Sequence, residues 1–152
     1  MNIVETSTHY NKRSTGDCDI TRGHKSQYTE FTYYQEAKLV YDYFCKLYEV
    51  NDYILLFSNN QTSRLLGRCN HKEQEITLYP EGKTVAALLH EYAHVVAHVK
   101  IQHIIKPHGP EFKAILDSML SIWEEVKDDF IYLTIHDILA IQKERISCAL
   151  YK

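Results

Sequence analysis

Three rhythms of apolar and polar residues divide this chain. Residues 1–27 are polar with few apolar anchors, and they read as a flexible arm ahead of a single domain spanning 28–152. From Thr29 to Val50, Phe31, Tyr34, Leu39, Tyr43, Phe44 and Leu47 recur at three- and four-residue steps, which predicts an N-terminal amphipathic helix. The period then shortens. Tyr53–Ser58, Arg64–Asn70 and Glu75–Tyr79 read as three short strands with polar turns at 59–62 and 70–74, and Pro80 stops the last of them. Consecutive short strands with short turns predict a small antiparallel meander. Thr84 then suits the N-cap of an almost wholly apolar helix through Val85, Leu88, Leu89, Ala93, Val96 and Val99. Lys106-Pro107 breaks it, and Pro110 suits the first turn of a helix to about Val126 that buries Phe112, Ile115, Leu116, Met119, Leu120 and Trp123. Asp128-Asp129 reads as an interruption before a last helix over Leu133–Cys148. The sum is an α+β domain: an N-terminal helix, a three-stranded antiparallel sheet, a central apolar helix and further C-terminal helices.

Composition narrows the classes. A length of 152 residues, 45% apolar and 24% charged, suffices for one hydrophobic core. A formal charge of −3 argues against nucleic-acid binding by bulk electrostatics. Arg64, Arg68, Lys72, Lys100, Lys106 and Lys113 read as scattered solvated charges. The apolar runs are too short for a membrane span, and the first residues lack the apolar core of a signal peptide. Cys18, Cys45, Cys69 and Cys148 are widely spaced, with no CxxC pair, which suggests reduced thiols in a cytoplasmic protein. The tyrosines between Tyr28 and Tyr48 read as a packing stripe, since tyrosine combines apolar bulk with a polar tip.

The chemistry is concentrated in the apolar helix, which contains His90-Glu91-x-x-His94. Residues four apart on a helix lie one turn apart and roughly 40° around the axis, so both imidazoles can reach one metal ion. Burying two histidines and a glutamate in such a helix is costly unless they are paired or metal-bound. A catalytic zinc takes three protein ligands and leaves a position for water, so a third ligand is needed, and His108 is the best candidate. His98 lies roughly 80° from His90 and reads as a packing or supporting residue, while His103 reads as solvated. A downstream carboxylate, Glu124 or Glu125, is the alternative third ligand of a gluzincin-type hydrolase. Glu111 can orient a ligand histidine or simply favour a helix N-terminus. With one Zn2+ at His90, His94 and His108, Glu91 is placed as general base for amide hydrolysis. A non-catalytic interaction protein that uses zinc only for stability is the alternative from another class.

Three separated motifs together resemble the SprT-like zinc metalloproteases: Gly67-Arg68-Cys69 and Ile76-Thr77-Leu78-Tyr79-Pro80 upstream, His90-Glu91-x-x-His94 in the middle, and His108-Gly109 downstream. The resemblance covers about residues 30–125. It implies a zincin-like protease core, zinc held by His90, His94 and His108, catalysis by Glu91, and protein substrates, including for some members proteins attached to DNA. A four-cysteine zinc ribbon that follows the core in many members has no counterpart here, which weakens the expectation of DNA contact.

Overall fold

A computed structural model describes residues 7–11, 25–61, 65–101 and 106–131. Four strands and three helices are present among them: β1 (Ser7–Asn11), α1 (Tyr34–Tyr48), β2 (Ile54–Phe57), β3 (Leu65–Asn70), β4 (Glu75–Leu78), α2 (Val85–Lys100) and α3 (Pro110–Ile131). Short 3-10 turns at Lys25–Tyr28 and Pro80–Gly82 complete the set. The α+β class is as expected, and the final helix expected over Leu133–Cys148 lies outside the described residues.

The sheet differs from the expected meander. Its order is β1-β3-β4-β2, and it is mixed: β3 is antiparallel to β1 and β4, whereas β2 runs parallel to β4. Only β3 and β4 form a hairpin. Its turn is closed by Asn70 Oδ1, which accepts the Glu73 N–H at 3.0 Å, and by Gln74 in a left-handed conformation with φ 54°. In a meander β2 would lie on the side of β3 away from β4, but β1 pairs there, and β2 joins the free edge of β4. The pairing places Leu55 opposite Ile76 and Phe57 opposite Leu78. Leu55, Ile76 and Leu78 are fully buried, so this register satisfies the apolar alternation as well as a meander would. The fourth strand, β1, comes from the segment read as an arm.

The first helix is shorter than its periodicity suggested because residues 29–31 are drawn into extended pairing with the start of α2. Phe31 N–H donates to the Lys83 carbonyl at 2.7 Å and Val85 N–H to the Thr29 carbonyl at 3.1 Å. The chain turns into α1 where the Glu36 carboxylate reaches back to accept the Tyr33 N–H, and the helix ends at Glu49 with φ 59°.

The expected N-cap holds for α2: the Thr84 hydroxyl accepts the Ala87 N–H at 3.2 Å. Every residue from Val85 to Ala97 is buried. A helix apolar on all sides must be covered on all sides, and α2 is packed against β1, β3 and β4, against α1 and α3, and against the Lys25–Tyr28 turn. Tyr92, buried at its midpoint, donates its hydroxyl to the Val50 carbonyl at 2.7 Å, which ties α2 to the end of α1.

Helix α3 runs through Asp128-Asp129 without interruption. Both aspartates are exposed, and the last turn is anchored by Phe130, whose ring meets Trp123 at 5.6 Å and Tyr43 at 5.7 Å. Trp123 in turn donates its indole N–H to the Ser26 carbonyl at 3.1 Å, fastening the Lys25–Tyr28 turn to α3.

Candidate metal centre

His90 and His94 project from α2, and His108 comes from the tight turn that precedes α3, where Gly109 N–H donates to the Lys106 carbonyl at 3.1 Å. The three Nε2 atoms form a nearly equilateral triangle with sides of 3.3 Å (His90–His94), 3.1 Å (His94–His108) and 3.3 Å (His90–His108). Imidazole bonds of 2.0–2.1 Å arranged tetrahedrally around one ion put ligand nitrogens about 3.3 Å apart. The residues therefore fit a metal ion, which they would hold through three imidazole nitrogens. Among the described residues, His90, His94 and His108 are the one group of this kind.

Electrostatics favour the ligating form. Burial, and then the neighbouring imidazoles, hold His90 and His94 well below the ordinary histidine range. Both rings are thus neutral near pH 7 and keep a lone pair for a cation.

A ring beneath the triangle positions it. Phe112 stacks on His94 at 4.2 Å with planes 19° apart, and meets His90 and His108 with its face or edge at 5.0 and 5.1 Å. Phe112 is fully buried in the first turn of α3. One side chain thus makes an apolar floor for all three imidazoles. Its periodicity marks Phe112 only as a core position; the spacing of four residues from His108 was the available signal.

Glu91 is fully buried beside His90 in sequence. It lies against Gly67, the centre of β3: a Cβ built on Gly67 would sit 3.0 Å from Glu91 Cγ and 3.3 Å from Oε1. The absence of a side chain at Gly67 is therefore what lets the strand back directly onto the glutamate. Gly82 fills a similar need, since a Cβ there would fall 1.8 Å from the Leu66 carbonyl oxygen. That glycine allows the 80–82 turn to close over β3, where Tyr79 N–H donates to the same carbonyl at 3.0 Å.

The other candidates fall elsewhere. His98 is exposed at the end of α2 and stacks on His71 with ring centres 4.0 Å apart. His71 Nδ1 is 2.7 Å from the Tyr53 hydroxyl, and burial pushes the ring down to about 4. Cys69 is fully buried beneath it. Glu124 engages Ser26 and Lys127, and Glu125 is exposed. Glu111 lies over Gly109 at the start of α3, where a Cβ on Gly109 would be 3.2 Å from its Oε2, a position that suits a charge at a helix N-terminus. His103 and Arg64 lie outside the described residues. No described helix is long and apolar enough to cross a membrane.

No curated protein and no solved structure matches the chain. The family model of the SprT-like family matches residues 37–129, which takes in most of α1, all of β2, β3, β4 and α2 and nearly all of α3, together with the three histidines and Glu91. A match over more than half of the chain that encloses the whole histidine triangle places this protein in the SprT-like family.

Proposed function

We propose that this protein is a zinc-dependent metallopeptidase that hydrolyses peptide bonds in protein substrates. The observation that carries the reading is the triangle of three imidazole nitrogens, with sides of 3.1–3.3 Å, in a helix that also buries Glu91. His90, His94 and His108 would hold one zinc ion. When bound, zinc supplies Lewis-acid polarisation and brings the pKa of water toward neutrality. The chain's own residues do the rest. Glu91 accepts a proton from the attacking water at a carboxylate oxygen and returns it to the leaving amine. Gly67 and the strand behind it restrict where that carboxylate can sit. Phe112 packs against all three rings and would keep them converged on the ion. The balance of acidic and basic residues favours free polypeptide over nucleic acid as the primary ligand.

Elemental analysis and a peptidase assay together test the reading. About one zinc per chain is expected, weakened strongly by His108→Ala and little by His98→Ala. Glu91→Gln should retain the zinc and lose turnover by several orders of magnitude, on unfolded protein substrates assayed with and without DNA. Zinc-replete protein that binds no metal would remove the peptidase reading. Full activity in Glu91→Gln would remove its general base.

A further inference from the structure

The edge strand beside β3 is contributed by the polar N-terminal segment. Ser7–Asn11 pairs antiparallel with β3, and its Tyr10 lies opposite Gly67, the residue that packs on Glu91. β1 also lies against α2. Neighbouring strands run about 4.8 Å apart, so β1 forms the edge of the sheet one strand away from the residue that packs on Glu91. Its sequence, Ser-Thr-His-Tyr-Asn, contains no aliphatic residue. It pairs with β3 through the main chain, and that pairing loses register between Tyr10 and Asn11. The chain is fastened separately at Lys25–Tyr28 through Trp123, so β1 can leave without dislodging the attachment that follows it.

We infer that β1 is an exchangeable strand: it occupies, in cis, the edge of β3 where an extended and otherwise unfolded peptide segment binds. Main-chain hydrogen bonds do not depend on side-chain identity, so an incoming segment can replace those made by Ser7–Asn11. It would then run past Gly67, directly beside Glu91. That the incoming segment is then cut rests on the peptidase reading; the exchange itself does not. A tethered strand competes with free peptide at high effective concentration. If β1 is seated nine-tenths of the time, apparent affinity for free peptide falls about tenfold. Folded proteins, which offer no loose extended segment, would be excluded altogether.

The register supplies a lock. Thr8 lies opposite Cys69, and opposed residues of an antiparallel pair are about 4.5–5.5 Å apart at Cα, within the span of a disulfide. In the full chain, Thr8→Cys oxidised to Cys69, with the bond mapped by mass spectrometry, holds β1 shut, and reduction frees it. Conversely, His9→Pro combined with Tyr10→Pro removes a main-chain donor at both parities of the ladder, which loosens β1. The probe is a fluorescent peptide of this chain's own residues 4–13, followed by anisotropy on zinc-loaded Glu91→Gln protein so that turnover plays no part. The expected order is tightest binding to the double-proline variant, about tenfold weaker binding to the unaltered strand, and none to the oxidised lock until it is reduced. Equal binding to oxidised and reduced lock would overturn the inference, as would absence of binding to a double-proline variant that retains the native circular dichroism. Cleavage of denatured casein is then compared in the same variants with Glu91 intact. Ordered peptide binding without casein cleavage would sustain strand exchange and refute the peptidase reading; cleavage that ignores the lock would refute the exchange alone.

Discussion

Adding one methyl group at Gly67 tests whether the strand behind Glu91 sets its position. The new Cβ would lie 3.0 Å from Glu91 Cγ, 3.3 Å from Oε1 and 3.4 Å from Leu78 Cδ2. Carbon atoms in comfortable contact are about 3.5–4.0 Å apart, so the glutamate, the strand or both must shift by roughly half an ångström. Overpacking a filled interior by one methyl costs about 1–3 kcal/mol. For catalysis, a displacement of about 1 Å costs on the order of 100-fold, so half that displacement corresponds to about tenfold. In Gly67→Ala, kcat on an unfolded protein substrate should fall about tenfold, with KM changed less than twofold and zinc content intact. A second arm separates position from general damage. In the Glu91→Gln background, Gly67→Ala should lower the residual rate no further, because the group it displaces is already disabled. Thermal unfolding reports the packing cost alongside. Lower stability with unchanged kcat, or the same tenfold loss in both backgrounds, would show that Gly67 serves packing and does not position the glutamate.

Three further perturbations probe the scaffold. Gly82→Ala puts a Cβ 1.8 Å from the Leu66 carbonyl oxygen, a main-chain clash that no rotamer relieves, so soluble yield and melting temperature should drop sharply; near-normal melting would show that the 80–82 turn can lift off β3. Tyr92→Phe removes the buried hydroxyl that donates to the Val50 carbonyl at 2.7 Å, with an expected loss of about 1–3 kcal/mol in urea unfolding and no change in zinc content. His71 has its folded pKa pushed down to about 4 by burial, below its unfolded value near 6.5, so the unfolded chain binds the proton more readily. Its contribution to stability is complete above pH 6.5 and is lost as pH falls toward 4. The melting temperature of zinc-loaded protein should therefore decline less steeply over that window in His71→Gln, and an unaltered slope would show that the ring titrates normally.

What could be read from the residues alone depended on whether the information was local. The central helix was legible because a capping threonine and an almost wholly apolar run specify both its start and its burial. The histidine triangle was legible for two reasons: the one-turn spacing of His90 and His94 is a property of any helix, and His108 was preferred to His98 from the roughly 80° offset of His98 and from the resemblance, while the way His108 reaches the pair is set by the turn at Lys106–Gly109. Strand neighbours were not legible. Alternation fixes which face of β2 is buried but not which strand it pairs with, so the parallel join to β4 had no local signature. The end of α3 was misjudged for a related reason: Asp128-Asp129 breaks the pattern, and only Trp123 and Tyr43 packing on Phe130 show why the helix continues. Phe112 was legible only as a core position and Gly67 only as part of a motif, because their roles consist of contacts with other segments.

The complete burial of α2 from Val85 to Ala97 constrains how a protein of this design can change over evolutionary time. The helix that bears the chemistry is also the centre of the hydrophobic interior, touched by nearly every other element. A substitution that retunes the reactive groups is therefore also a core substitution, exposed to selection on folding before selection on activity. New binding preferences are left to arise at the periphery, in the edge strand and the connecting segments, where variation carries less penalty. The site and the fold are inherited as one unit, and diversification is pushed outward to the segments that frame it.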